Sequence, residues 1–147
     1  MDNKLKELLK KDYVILDGGM GTMLQAAGMK MGETPEMLNI TQPELLISIH
    51  EKYLNAGSDI IYANTFGGNR YKLEECGHSV HELVTAGIKN ARTACDNVKP
   101  EALVALDVGP IGQLLEPTGT LSFEEAYEMY ADIVKAGEAS GAYLVVL

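Results

Sequence analysis

Apolar residues gather in four short, nearly unbroken runs: Tyr13-Val14-Ile15-Leu16, Ile60-Ile61-Tyr62-Ala63, Ala102 to Leu106, and Tyr143 to Leu147. Runs of this length without polar alternation predict strands covered on both faces. Between them the apolar positions recur at helical spacing. Thr41-Gln42-Pro43-Glu44 reads as a capping box opening a helix to about Ala56, with Leu45, Leu46, Ile49, Tyr53 and Leu54 on its apolar face and Gly57 as its stop. Ser79-Val80-His81-Glu82 opens a second helix, striped by Val80, Leu83, Val84, Ile88, Ala91 and Ala94. Ser122-Phe123-Glu124-Glu125 opens a third, through about Ala136, packed by Phe123, Ala126, Tyr127, Tyr130 and Val134. A short helix from about Thr22 to Ala27 follows the first run. Residues 28–40, with Gly28, Gly32, Pro35 and Asn39 and little periodicity, read as a long loop able to serve as a lid. His50, mid-helix beside Glu51, reads as solvent-facing.

Strands alternating with helices predict a parallel sheet covered by helices, either doubly wound or closed into a barrel. Each strand ends in polar and glycine residues: Asp17-Gly18-Gly19, then Asn64-Thr65-Phe66-Gly67-Gly68, then Asp107-Val108-Gly109-Pro110. That repeated placement favours the α/β (β/α)8 TIM barrel, whose sites sit at the carboxyl ends of its strands. A complete barrel needs eight such units over ~250 residues. About the first four strands are present, the last without its helix, so residues 1–147 read as the amino-terminal half of a barrel domain truncated within the fourth strand.

With 147 residues and 46% hydrophobic content, the chain has the size and apolar content of one folded domain. Twelve basic against 21 acidic residues give a net charge of −9, and no basic cluster tracks phosphates, which argues against nucleic acid. No run approaches the ~20 apolar residues of a membrane span, so the expectation is a cytoplasmic protein with no membrane partner. Cys76 and Cys95 are expected as free thiols.

The chemistry is concentrated in Asp17-Gly18-Gly19-Met20-Gly21-Thr22. Glycines leave backbone amides accessible to an anion, and the adjacent Asp17 suits a cation; together they suit the zwitterionic end of an amino acid. The same residues also suit a plain strand-to-helix turn with a capping Asp. Other signals are weaker. Cys76, His78 and His81 offer three ligands where a zinc site takes about four. Leu24 stands where a dinucleotide fingerprint needs its third small residue, and no Walker lysine follows. Five of the seven methionines fall between Met20 and Met37 and read mostly as core packing. Asp107 reads as structural.

Five motifs in order carry a resemblance. Asp17-Gly18-Gly19-Met20-Gly21-Thr22-Met23-Leu24, Pro35-Glu36-Met37-Leu38-Asn39, Ala56-Gly57-Ser58-Asp59-Ile60-Ile61, Asn64-Thr65-Phe66-Gly67 and Gly109-Pro110-Ile111-Gly112 resemble the homocysteine S-methyltransferase family. Leu115-Glu116-Pro117-Thr118-Gly119 makes the chain look most like the cobalamin-dependent branch. The resemblance implies a (β/α)8 barrel that transfers a methyl group to the thiol of homocysteine, giving methionine. It implies Asp17 on the substrate ammonium, the amides around Gly18 and Gly19 on its carboxylate, and Asn64 and Thr65 lining the same mouth. It also implies zinc, held by three cysteines expected beyond residue 147, and a methyl donor, methylcobalamin or methyltetrahydrofolate, reached through other domains. No metal ligand transfers to Cys76 or Cys95, and no catalytic residue is expected in this half. The alternative is a non-catalytic half-barrel that binds or assembles through its sheet edges.

Overall fold

The structure, a computed structural model, describes residues 3–73 and 76–147. Its centre is a parallel sheet of β1 (Ile60–Tyr62), β2 (Leu103–Asp107) and β3 (Leu144–Val146) in sequential order, with Ile60 opposite Leu103 and Ala105 opposite Leu144. The expected first strand, Tyr13 to Leu16, is reduced to one parallel bridge between Leu16 and Ile60. It is held by Asp59 N–H donating to Ile15 O (2.7 Å) and Asp17 N–H donating to Ile60 O (3.1 Å). Among the described residues the segment has a neighbour on one side only, and Tyr13, Ile15 and Leu16 are exposed.

The three long helices, α4 (Pro43–Asn55), α6 (Val80–Val98) and α7 (Phe123–Ala139), share one face of the sheet. Ile61, Ala63, Val104 and Leu106 point into a core with Leu54 of α4, Val84, Ile88, Ala91 and Ala94 of α6, and Ile133 and Ala136 of α7. Alternate strand residues, Ile60, Leu103 and Ala105, turn to the other face, where they meet Leu5 and Leu8 of α1 (Asn3–Leu8). At that end Asp59 accepts from both Lys11 Nζ (2.7 Å) and Lys99 Nζ (2.8 Å). Burial works against the Asp59 charge, but the two ammonium groups hold its carboxyl well below the usual range.

The boxes at Ser79–Glu82 and Ser122–Glu125 form with both reciprocal hydrogen bonds. The expected box at Thr41 does not: Leu38–Thr41 is itself a helical turn, α3, and Thr41 donates its hydroxyl to Met37 O (3.1 Å). A helical Thr41 lacks the extended backbone that an N-cap requires. The α7 face is also rotated from its expected phase. Ala126, Met129, Ile133, Ala136 and Gly137 are buried, while Phe123 (68%) and Tyr127 (67%) are exposed. Close approach decides this, since a Cβ on Gly137 would lie 2.6 Å from the Leu106 side chain. His50 is fully buried rather than solvent-facing, because its i±4 spacing puts it in the Leu46–Leu54 stripe of α4.

Candidate functional site at the carboxyl ends of the strands

From Pro35 onward the predicted lid is a fixed wall. Pro35–Met37 forms a 3-10 turn running into α3, and Glu36, Leu38 and Asn39 are buried. Asn39 donates to Asn64 O (2.8 Å) and Leu83 O (3.1 Å), Asn64 donates to Pro35 O (2.8 Å) and Asn39 Oδ1 (3.0 Å), and Asn90 donates to Asn39 O (2.9 Å). Three buried amides that satisfy one another and the backbone leave the segment little freedom to open.

This wall, the glycine turn and the ends of β1 and β2 enclose a cavity of about 440 Å³. Asp17, Gly18 and Gly19 line one side, Glu36 and Asn64 another, and Tyr62, Phe66 and Asp107 the strand ends. The glycine turn is held from behind by α4, as Tyr53 Oη donates to Gly19 O (3.1 Å) and a Cβ on Gly18 would lie 3.0 Å from the Tyr53 ring. A side chain at position 18 would require that ring to give by a few tenths of an ångström. Helix α2 (Met20–Ala26) begins at once, with Gly19 as its N-cap, two residues before the predicted Thr22 start.

Asp17 Oδ2 accepts from Tyr62 N–H (3.0 Å), while its buried Oδ1 has no hydrogen-bond partner. Burial, reinforced by the charge of Asp107, pushes the Asp17 carboxyl up to about 6. Burial and then the charge of Glu36 raise Asp107 as well. Glu36 is 4% exposed and accepts the Gly67 N–H through Oε1 (2.5 Å). Acid side chains thus face one another across a partly dry cleft, an arrangement that favours a cation in the space between them.

Of the residues expected from sequence, Asp17, Gly18, Gly19 and Asn64 line this cavity, although the Asn64 amide is committed to the wall. Thr65 is buried and not among the lining residues. Its hydroxyl donates to Asp107 O (2.8 Å) and accepts from Asp107 N–H (3.1 Å), tying the β1 loop to the end of β2. The same two loops meet where Gly109 N–H donates to Phe66 O (3.0 Å). Glu36 and Asp107 were not singled out as ligands by sequence. The available signal was a lone acid inside Pro35-Glu36-Met37-Leu38-Asn39, a stretch otherwise suited to burial.

A larger hollow of about 750 Å³ lies near the start of α6, lined by His78, His81, Arg70 and Lys135 among others. Arg70 pairs there with Asp132, and His78 Nδ1 lies 3.8 Å from Glu82 Oε2. Among the described residues no three His, Cys, Asp or Glu side chains are grouped to hold a metal ion, so they do not fit the zinc that the resemblance implies. Cys95 is buried in α6, and burial raises its thiol to about 11, the opposite of an activated ligand. Among the described residues no helix is long and apolar enough to cross a membrane.

A parallel α/β sheet with an acidic, glycine-rimmed cleft at the carboxyl ends of its strands is a small-molecule-binding architecture. The chain belongs to the homocysteine S-methyltransferase family, which residues 14–147 match. It is 33% identical over 105 residues to the methionine synthases of Mycobacterium tuberculosis (strain ATCC 25618 / H37Rv) and Mycobacterium leprae (strain TN), a match spanning 66% of this chain and 9% of each relative. The homocysteine methyltransferase MmuM of Escherichia coli superposes on 97% of the chain in its metallated form, with a TM-score of 0.83, 25% identity and 56% of MmuM covered. Its apo form gives a TM-score of 0.73 at 27% identity, with 51% covered. The chain therefore spans a small part of the methionine synthases and about half of MmuM.

Proposed function

We propose that this chain is the amino-acid-binding half of a homocysteine S-methyltransferase, with residues 1–147 forming the leading half of a (β/α)8 barrel. The observation that carries the reading is the unpartnered, buried Oδ1 of Asp17 beside the exposed backbone of Gly18 and Gly19. In this reading Asp17 receives the ammonium of homocysteine, the Gly18 and Gly19 amides receive its carboxylate, and Asn64 holds the wall against which the substrate lies. Thr65 is a support of the mouth rather than a contact.

Held by its charged head, the substrate points its thiol away from the glycine turn. The reaction forms a sulfur–carbon bond to the incoming methyl group and breaks that group's bond to its donor, with the thiol proton released. Sulfur activation and the methyl donor, methylcobalamin or methyltetrahydrofolate, belong to other parts of the protein, as do the zinc ligands expected beyond residue 147. The three long helices share one sheet face, which supports the barrel, since a doubly wound fold carries its crossover helices on both. A cytoplasmic setting fits the proposed chemistry.

The test is calorimetric titration of the full-length protein with L-homocysteine, wild type against Asp17→Ala, with methionine formation followed by mass spectrometry. Loss of about tenfold or more in affinity is expected for the substitution, given that a charge-assisted contact contributes ~1.5–3 kcal/mol. Unchanged affinity would remove Asp17 from the site, and absence of homocysteine binding by wild type would sink the reading.

A further inference from the structure

Glu36 combines burial with charge in an unusual way. It is 96% covered, lines the same cavity as Asp17 and Asp107, and has Gly67 N–H on Oε1. None of the salt bridges among the described residues involves it. A carboxylate removed from water without a counter-ion is expensive, and its charge adds to burial in hindering the ionisation of Asp107. A staple for the β1 loop would not require the charge, because the amide oxygen of glutamine also accepts an N–H. The Asp17 Oδ1 lacks a partner on the opposite wall. Acid thus lines the cavity on both walls, with an unpartnered oxygen at Asp17 and no counter-ion at Glu36, and the space between them suits a small cation with several N–H donors.

We propose that Glu36 is a specificity-determining residue of the cleft, its carboxylate selecting substrates that carry an ammonium group over otherwise identical thiol acids that lack one. The inference rests on the amino-acid-binding reading above and extends it to the opposite wall. Asp17 and Glu36 share the substrate's positive charge, and the Gly67 N–H fixes the Glu36 carboxylate against the cavity rather than letting it swing to solvent. A second acid gives selection that one surface carboxylate would not, since each charge here works in a partly water-excluded space.

The experiment compares L-homocysteine with 4-mercaptobutyric acid, the same carbon chain without the amino group, by calorimetry on the full-length protein. Wild type, Glu36→Gln and Glu36→Asp are titrated in parallel, with melting temperatures recorded. Glu36→Gln keeps the acceptor for Gly67 N–H and is expected to lose tenfold or more in homocysteine affinity while changing 4-mercaptobutyric acid affinity less than twofold. Glu36→Asp keeps the charge and is expected to recover part of the preference for homocysteine. Equal affinity changes for the two ligands, in either variant, would make Glu36 a loop staple and overturn the proposal, as would a homocysteine affinity unchanged in Glu36→Gln. Failure of wild type to bind homocysteine at all would instead remove the reading on which it rests.

Discussion

At the scale of single residues, two buried titratable groups act on stability in opposite directions. Asp17 titrates at about 6 against an ordinary 3.8, so between those values the folded chain keeps a proton that the unfolded chain has released. Its contribution falls as pH rises through that window. His50 titrates at about 4 against 6.5, with both ring nitrogens buried and unpartnered, so between those values the unfolded chain holds the extra proton. Its contribution is lost as pH falls. Each slope is at most ~1.4 kcal/mol per pH unit, less for Asp17, whose side chain is partly solvated and screened. From pH 4 to 6 the two nearly cancel. Asp17→Asn is expected to be more stable than wild type near pH 7 by roughly 1–2 kcal/mol, because Asn still accepts from Tyr62 N–H without burying a charge. It is also expected to lose homocysteine binding and to destabilise more steeply than wild type below pH 6, where Asp17 no longer offsets His50. Conversely, His50→Leu is expected to flatten the acid limb. Denaturant unfolding at half-unit pH steps reads both profiles, and parallel curves for the two variants and wild type would refute the assignment. The same Asp17 shift predicts that homocysteine affinity in wild type weakens about tenfold per pH unit below 6, where the acid must lose its proton to receive an ammonium.

At the scale of elements, the wall from Pro35 to Thr41 decides whether the cleft exists. Asn64→Ala removes the donor that holds Pro35 O and Asn39 Oδ1, leaving buried acceptors unsatisfied. It is expected to destabilise the fold by ~2–3 kcal/mol. Asn39→Ala should do the same, and the double substitution should cost much less than the sum, because both break one network. Additive losses in a thermal-melt cycle would show two independent contacts instead. Residues 28–40 also mark where sequence stops being informative. The strands β1 and β2 and the helices α6 and α7 were legible because continuous apolar runs and two Ser-x-x-Glu boxes encode them locally. The wall has no periodicity of its own and is ordered by Asn39, Asn64 and Asn90, which lie far apart in sequence. For the same reason the cleft was legible by halves. Asp17, Gly18, Gly19 and Asp107 announce themselves at strand ends, whereas Glu36 becomes a cavity residue only once the wall folds against β1. The exposed phase of α7 was hidden for a related reason: composition alone favoured burying Phe123 and Tyr127, and only the tight approach of Gly137 to Leu106 reverses it.

At the scale of the whole molecule, the unusual feature is what the sheet leaves open. Among the described residues the Leu16 edge has one neighbour and so has β3, where Val145 is exposed and Leu147 is 93% exposed. On the helix layer, Phe123 and Tyr127 of α7 present exposed aromatic surface. Unpaired strand N–H and C=O groups flanked by apolar side chains template further pairing. A polypeptide of residues 1–147 is therefore expected to self-associate reversibly in sedimentation velocity runs, with the associated fraction rising over the micromolar range. Val145→Lys places a charge on the half-exposed sheet face of the edge strand β3, in register with Leu106 and outside the cleft, and should shift the distribution toward monomer, while leaving the melting temperature within a few degrees of the parent at matched low concentration. In a longer chain whose further strands cover both edges, the same substitution would bury a lysine and destabilise the fold by several kcal/mol. Comparing the two effects separates edges that a continuing barrel closes from edges that serve assembly between chains. A monomeric 1–147 polypeptide at high micromolar concentration would mean that the edges are already protected, and the half-barrel would have to be abandoned.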